Sequence, residues 1–186
     1  MPQIRSFIAI EIPEDIRNQI ADVQEILKKE PERISWTKAA NMHLTLKFLG
    51  DVEQNLIPDI GKTLNEISQT VKSFTFRING LGAFPNLKRA RVLWIGIENP
   101  GSELEDIAKK IEDSLIQFGF SKENRKFKPH LTLGRVKSQL SADFINKFNK
   151  ISFEGGVVLV REIKLIKSDL KPTGAVYTPI QIVNLK

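Results

Sequence analysis

Several residue types are scarce in this sequence of 186 residues: it has no cysteine, two histidines, two methionines and one tyrosine. The lack of cysteine excludes disulfide bonds, thiol nucleophiles and thiolate metal sites. No apolar run approaches the roughly 20 residues that a helix needs to span a bilayer. No low-complexity tract or Pro/Gly/Ser-rich linker interrupts the sequence. With 41% hydrophobic residues, the chain is long enough for a full core, in one domain or two closely packed halves.

The start of the chain and its charge say little about function. Residues 1–13 carry one basic side chain and lead into alternating apolar positions, which predicts a strand and not a signal peptide. Without a targeting feature, the cytoplasm is the expected location. The balance of 28 Lys and Arg against 22 Asp and Glu gives a net charge of +6. This excess fits a polyanionic partner such as RNA, and it also fits an ordinary basic protein.

Both histidines begin the same four-residue string. His43-Leu44-Thr45-Leu46 recurs as His130-Leu131-Thr132-Leu133, and 130 − 43 gives a separation of 87 positions. A pair of imidazoles is the smallest set of side chains that supplies a general acid and a general base near neutral pH. The repeat therefore predicts two equivalent lobes, each of which contributes one catalytic histidine to a shared cleft.

Each string is predicted to form a strand whose side chains alternate between two faces. His43 and Thr45 then share one face, as do His130 and Thr132. A threonine hydroxyl and a protonated imidazole both donate hydrogen bonds to an oxyanion, and phosphate is the expected anion. The alternation also places Lys47 beside Thr45, and it places Leu44, Leu46 and Phe48 on the opposite, buried face.

Less specific interpretations remain for these residues. A single histidine on a strand is more often a half-exposed residue without a catalytic role. Threonine is common in strands because it is β-branched. The duplicated setting favours catalysis. Two histidines without cysteines or a carboxylate cluster make a poor zinc site, so we expect no metal.

The rest of the pattern predicts a mixture of helices and antiparallel strands, hence an α+β fold. Helices are expected over 14–29, 53–71, 103–118 and 141–150. Strands are expected over 4–12, 34–36, 42–49, 74–81, 91–97, 151–160, 162–168 and 176–184, in addition to the second motif strand.

The segments around both motifs resemble the RNA 2′,3′-cyclic phosphodiesterases, historically called 2′-5′ RNA ligases, of the two-histidine phosphoesterase superfamily. The resemblance implies one bilobal domain over residues 1–186, with pseudo-two-fold symmetry and a cleft between two antiparallel sheets. It covers nearly the whole chain: the segments that carry it are 5–10, Trp36 with 41–50, 82–85, 91–94, 126–135, 168–170, Gly174 and Tyr177.

The resemblance also implies an activity, namely hydrolysis of a 2′,3′-cyclic phosphate at an RNA end to a 2′-phosphate. The reverse reaction forms a 2′-5′ linkage. No metal or nucleotide cofactor is implied. The expected partner is RNA with a cyclic phosphate end, such as a tRNA fragment, and the protein is expected to be a monomer that binds no membrane.

On the family pattern, the core site comprises both histidines, Thr45, Thr132 and Arg135. We assign His43 as the proton donor and His130 as the acceptor, although near-symmetry allows the reverse. Strict alternation directs Arg135, the expected phosphate clamp, to the wrong face, unless Gly134 marks a bulge or a strand end. Candidate base-stacking residues are Trp36, Phe48, Phe84 and Tyr177, for each of which core packing is the alternative. Candidate contacts to the RNA backbone are Lys47, Lys88, Arg89 and Arg91, for which a solvated basic loop is the alternative.

Two other functions fit the sequence. The same site could act on a small cyclic phosphate or a 2′-5′-linked oligonucleotide. Alternatively, the protein could bind RNA ends without processing them, although binding alone has no need of two proton-transfer groups.

Overall fold

The structure, a computed structural model, describes residues 2–172 and 174–186. Within these residues, four α-helices and nine strands form an α+β fold. The helices are α1 (Glu14–Leu27), α2 (Ile57–Ser68), α3 (Glu103–Leu115) and α4 (Ala142–Lys150). The strands are β1 (Gln3–Glu11), β2 (Ile34–Trp36), β3 (His43–Glu53), β4 (Phe74–Phe84), β5 (Val92–Glu98), β6 (His130–Val136), β7 (Glu154–Val160), β8 (Glu162–Lys171) and β9 (Gly174–Asn184).

The strands form two antiparallel sheets that correspond to the two expected lobes. The first has the order β3-β1-β8-β9, and the second has the order β2-β6-β5-β4-β7. The two motif strands, β3 and β6, belong to different sheets and lie against each other where the sheets meet. The predicted bilobal α+β architecture is confirmed.

The helices are exchanged between the lobes. α1 follows β1 of the first sheet but packs against β7 and α4, whereas α3 follows β5 of the second sheet but packs against β3 and α2. Each helix has one apolar stripe that must be buried, and here the other lobe's sheet covers it. Buried residues of both lobes consequently form one continuous hydrophobic cluster.

The second helix is shorter than the sequence predicts. A helix was expected from Glu53, but β3 continues to that residue because Gln3 of β1 pairs with it. The helix begins only at Ile57, with Pro58 in its first turn. Proline is tolerated there because the N–H groups of the first turn have no partner within the helix. The prediction of a helix over 53–71 was therefore wrong at its start.

Each motif strand contains a β-bulge. On β3, Thr45 pairs with Ala9 and Lys47 pairs with Ile8, so that Leu46 has no partner of its own on β1. Such an extra residue interrupts the alternation and turns the following side chains to the other face.

The bulge on β6 occupies the equivalent position. Thr132 pairs with Trp94 and Gly134 pairs with Leu93, which leaves Leu133 as the extra residue. In both strands the extra residue comes third after the histidine. The duplication thus extends from the sequence to the backbone.

Candidate active site

The two histidines have the same backbone contact and therefore the same tautomer. Nδ1 of His43 lies 2.7 Å from the carbonyl oxygen of Asn41. Nδ1 of His130 lies 2.7 Å from that of Lys128. Because a carbonyl oxygen only accepts hydrogen bonds, each neutral imidazole carries its proton on Nδ1. Nε2 of each ring then keeps a lone pair that can take up a proton.

His43 is held between two aromatic rings. Its ring stacks on Phe7 of β1 at a centroid distance of 4.5 Å, and it meets the edge of Tyr177 of β9 at 5.1 Å. Burial disfavours the charged form and lowers the pKa of His43 to about 4, although its hydrogen bond to Asn41 acts in the opposite direction. Without a ligand, this imidazole is neutral at pH 7.

The low pKa of His43 predicts a stability that depends on pH. The folded pKa of about 4 lies below the unfolded value of about 6.5, so only the unfolded chain takes up this proton between those values. The free energy of unfolding should therefore fall by about 2 kcal/mol from pH 7 to pH 4.5 on account of this group. Urea unfolding of the wild type and His43→Gln at both pH values measures the effect. Equal losses in the two proteins would contradict it.

His130 lies at the edge of a cavity in the second lobe. Its ring meets the edge of Phe84 at a centroid distance of 5.0 Å, and Phe84 in turn lies 5.2 Å from Trp94. The cavity has a volume of about 960 Å³ and is lined by His130 and both of these aromatic residues. One of the two candidate catalytic groups thus faces a space large enough for a ligand.

Burial alternates along the first three residues of each motif strand. Thr45 and Thr132 are half-buried, as are the histidines two residues before them, whereas Leu44 and Leu131 are fully buried. Up to each threonine, the strand therefore alternates as predicted.

The bulge at Leu133 returns Arg135 to the face of His130 and Thr132. The irregularity expected beside Gly134 is present, and the Arg135 side chain is exposed. Burial raises the pKa of Tyr177, and the positive charges of Arg135 and Arg5 act in the opposite direction. Tyr177 also touches His43. The structure therefore brings an arginine of the second motif close to the residues around the first.

The bulge at Leu46 reverses two predictions on β3. Lys47 was expected on the face of His43, but it is only 6% exposed, and its Nζ donates to Glu112 Oε1 of α3 at 2.8 Å and to the carbonyl oxygen of Ser121 at 2.9 Å. The residue is thus a buried link to the second lobe and no contact for RNA. Phe48 was expected to be buried, but it is 47% exposed. It pairs with Phe7, on the side of the strand that carries His43.

The other predicted RNA contacts are dispersed. Trp36 is half-buried against the core. Arg91 lies just before β5, where its backbone bonds Phe84 of β4 and Val136 of β6. Lys88 and Arg89 line a separate cavity of about 510 Å³. Phe84 and Tyr177 are the two members of this group that touch a histidine.

Two residues of β1 that contact His43 or Phe48 were not identified as site residues from the sequence. Phe7 stacks on His43, and the guanidinium of Arg5 lies 4.8 Å above the ring of Phe48. Arg5 and Phe7 are two positions apart on β1, so alternation places them on one face of the strand. The sequence alone did not show that β1 pairs with the motif strand β3.

Two further findings concern metal sites and membrane-spanning helices in the described part of the chain. Residues 2–172 and 174–186 contain no group of three or more His, Cys, Asp or Glu side chains that could hold a metal ion. No helix among them is both long enough and apolar enough to cross a membrane.

Comparison with known proteins places the chain in a family. A profile of the LigT-like phosphoesterases matches residues 10–94 and again 95–177. The RNA 2′,3′-cyclic phosphodiesterase of Methanocaldococcus jannaschii is 37% identical over 96% of this chain and 99% of its own length. That of Methanothermobacter thermautotrophicus is 32% identical over 98% of this chain and 100% of its own length.

Solved structures agree with this placement. The crystal structure of E. coli LigT complexed with 3′-AMP superimposes with a TM-score of 0.81 at 28% identity, over 99% of both chains. A crystal structure of a Thermus thermophilus protein, TT0787, superimposes with a TM-score of 0.83 at 25% identity, over 98% of both chains. Two successive matches to the family profile, one for each motif, account for the duplicated lobes. The chain belongs to the LigT-like phosphoesterase family.

Proposed function

We propose that this protein is an RNA 2′,3′-cyclic phosphodiesterase that forms a 2′-phosphate by metal-independent acid-base catalysis. The observation that carries the proposal is the pair of imidazoles on adjoining motif strands, each of which donates from Nδ1 to the carbonyl oxygen two residues before it and so keeps Nε2 as a proton acceptor. The relatives that bear this name match the chain over nearly its full length. E. coli LigT also has structures complexed with phosphate and with 3′-AMP, which supports a phosphate site in the cleft.

The reaction requires one proton to be removed and one to be supplied. His130 accepts a proton from water, whose oxygen attacks phosphorus. The bond between phosphorus and the 3′-oxygen breaks, and His43 donates a proton to that oxygen, which leaves a 3′-hydroxyl and a 2′-phosphate. The same sequence of steps, with the 5′-hydroxyl of another RNA in place of water as the nucleophile, gives a 2′-5′ linkage and a free 3′-hydroxyl.

The donor role of His43 depends on the substrate. Burial keeps this imidazole neutral in the free protein, because it lowers the pKa to about 4. A phosphate anion in the cleft supplies the opposite charge that favours the protonated form, and an opposite charge within a few ångströms raises the pKa of a histidine. Binding of the cyclic phosphate is therefore coupled to protonation of His43.

The remaining site residues hold the phosphate. Thr45 and Thr132 donate hydroxyl hydrogen bonds to its non-bridging oxygens, and Arg135 stabilises the negative charge that develops on them. Arg5 approaches from β1, beside Phe48 and Tyr177, which offer faces for a nucleobase. Together these groups account for charge stabilisation without a metal ion.

The proposal includes further features that were expected from the sequence. The natural substrates are RNA fragments with cyclic ends, such as those of tRNA, and the protein acts as a cytoplasmic monomer. Gel filtration at micromolar concentration, with and without an oligonucleotide, tests the monomer.

The function is tested by incubating the protein with an RNA oligonucleotide that ends in a 2′,3′-cyclic phosphate, in excess EDTA. The expected product has a 2′-phosphate and a 3′-hydroxyl, which phosphorus NMR distinguishes from the 3′-phosphate isomer. Turnover of a small cyclic phosphate or a 2′-5′ oligonucleotide, but not of RNA ends, would favour the second enzymatic alternative. Tight binding without any product would instead identify an end-binding module.

A further inference from the structure

The cavity beside His130 has aromatic walls of the kind that hold a nucleobase. Phe84, Trp94 and Phe127 line it together with the histidine. Its volume of about 960 Å³ lies in the range of ordinary small-molecule sites. Phe84 contacts both His130 and Trp94. A nucleotide whose phosphate lies at His130 can therefore place its base against these rings.

Most of the buried polar atoms that lack a partner in the described part of the chain belong to residues that line this cavity. In the described part of the chain, four buried side-chain nitrogen or oxygen atoms lack a hydrogen-bond partner. Three of them belong to residues that line this cavity: Trp94 Nε1, Asn99 Oδ1 and Glu105 Oε2. The fourth is Ser6 Oγ, on β1 of the other sheet. Buried polar atoms without a partner are rare in folded proteins, so three around one cavity indicate that a ligand completes them.

These three atoms define a pattern of hydrogen bonding. The indole nitrogen of Trp94 only donates, whereas the amide oxygen of Asn99 and the carboxylate oxygen of Glu105 only accept. A complementary base must offer two donors and one acceptor. The Watson–Crick edge of guanine has this set, with N1–H and the 2-amino group as donors and O6 as acceptor. Uracil has the reverse set of one donor and two acceptors.

We infer that the cavity is a subsite for the base of the terminal nucleotide and that it selects guanine over uracil. The inference deepens the proposed function, on which it rests. The cyclic phosphate lies at His130, and the guanine stacks among Phe84, Trp94 and Phe127. Asn99 and Glu105 accept its N1–H and 2-amino protons, and the Trp94 indole donates to O6.

Steady-state kinetics with guanosine and uridine 2′,3′-cyclic monophosphates tests the subsite. The wild type should prefer the guanosine substrate in kcat/KM by about tenfold or more, the size expected for one well-placed pair of hydrogen bonds to a base. Glu105→Met should lose about tenfold with guanosine and little with uridine. Glu105→Gln keeps an acceptor oxygen and should retain part of the preference. The matched control is Glu103→Met, an exposed glutamate in the same helical turn that does not line the cavity.

Each outcome bears on the inference. Equal rates with both substrates, or equal losses in Glu105→Met, would refute the guanine subsite and leave the phosphodiesterase in place. If neither substrate is turned over, calorimetric binding of guanosine 2′-monophosphate and uridine 2′-monophosphate decides the matter. A guanine preference that Glu105→Met removes would support the subsite even though the proposed chemistry fails, and equal affinities would refute it.

Discussion

Replacing either motif histidine by alanine is expected to lower kcat for cyclic-phosphate hydrolysis by about a hundredfold to ten-thousandfold. The loss arises because His43 and His130 each transfer one of the two protons that the reaction moves. Single-turnover kinetics at saturating substrate measures it. Lys109→Ala, which removes a charge from the exposed surface of α3, is the control and should keep the wild-type rate.

Both variants should remain folded, because the two histidines are only half-buried and each makes one side-chain hydrogen bond to a backbone carbonyl. Circular dichroism and thermal unfolding check this point. Wild-type turnover in either folded variant would show that the histidine concerned transfers no proton in the rate-limiting chemistry.

A substrate with sulfur in place of the bridging 3′-oxygen separates the roles of the two histidines. A thiolate leaves without being protonated, so it makes the general acid dispensable. His43→Ala should regain most of its activity with this substrate, whereas His130→Ala should remain slow. Rescue of the His130 variant instead would reverse the assignment and agree with the low pKa of His43 in the free protein.

Replacing Lys47 by methionine should lower the free energy of unfolding by about 3 kcal/mol. The substitution keeps the apolar stem but removes the ammonium that bonds Glu112 and the carbonyl of Ser121. Removing one partner of a buried ion pair leaves the other charge without compensation, which costs about 3–5 kcal/mol. We take the lower end because Glu112 is partly exposed. Against a typical total stability of about 5–15 kcal/mol, this is a large effect.

Urea unfolding of three variants measures the effect of Lys47. The double variant Lys47→Met/Glu112→Gln removes the uncompensated carboxylate and should recover part of the loss. Lys109→Met breaks an exposed ion pair with Asp113 on the same helix and should cost less than about 1 kcal/mol. Equal small losses in Lys47→Met and Lys109→Met would show that the buried link does not stabilise the fold.

The sequence by itself determined the local part of the site. Alternation depends only on consecutive backbone dihedrals, so it correctly places His43 with Thr45 and His130 with Thr132 above buried leucines. The repetition of the string correctly indicates two lobes, because each copy needs its own sheet to bury its leucines.

Only the tertiary structure decided which side chains lie on that face beyond each threonine. The bulges at Leu46 and Leu133 arise from pairing with β1 and β5, strands that are distant in sequence. One extra residue exchanges the faces of the side chains that come directly after it, which buries Lys47, exposes Phe48 and returns Arg135 to the face of His130. Register is a property of two strands, and a single strand's sequence does not contain it.

The same reason applies to the surroundings of the two histidines. Phe7 contacts His43, and Phe84 contacts His130, because the sheets bring their strands together. The exchange of α1 and α3 between the lobes likewise follows from which sheet covers each apolar stripe. Sequence periodicity specifies that a stripe must be buried, whereas the partner that buries it is chosen when the whole chain packs.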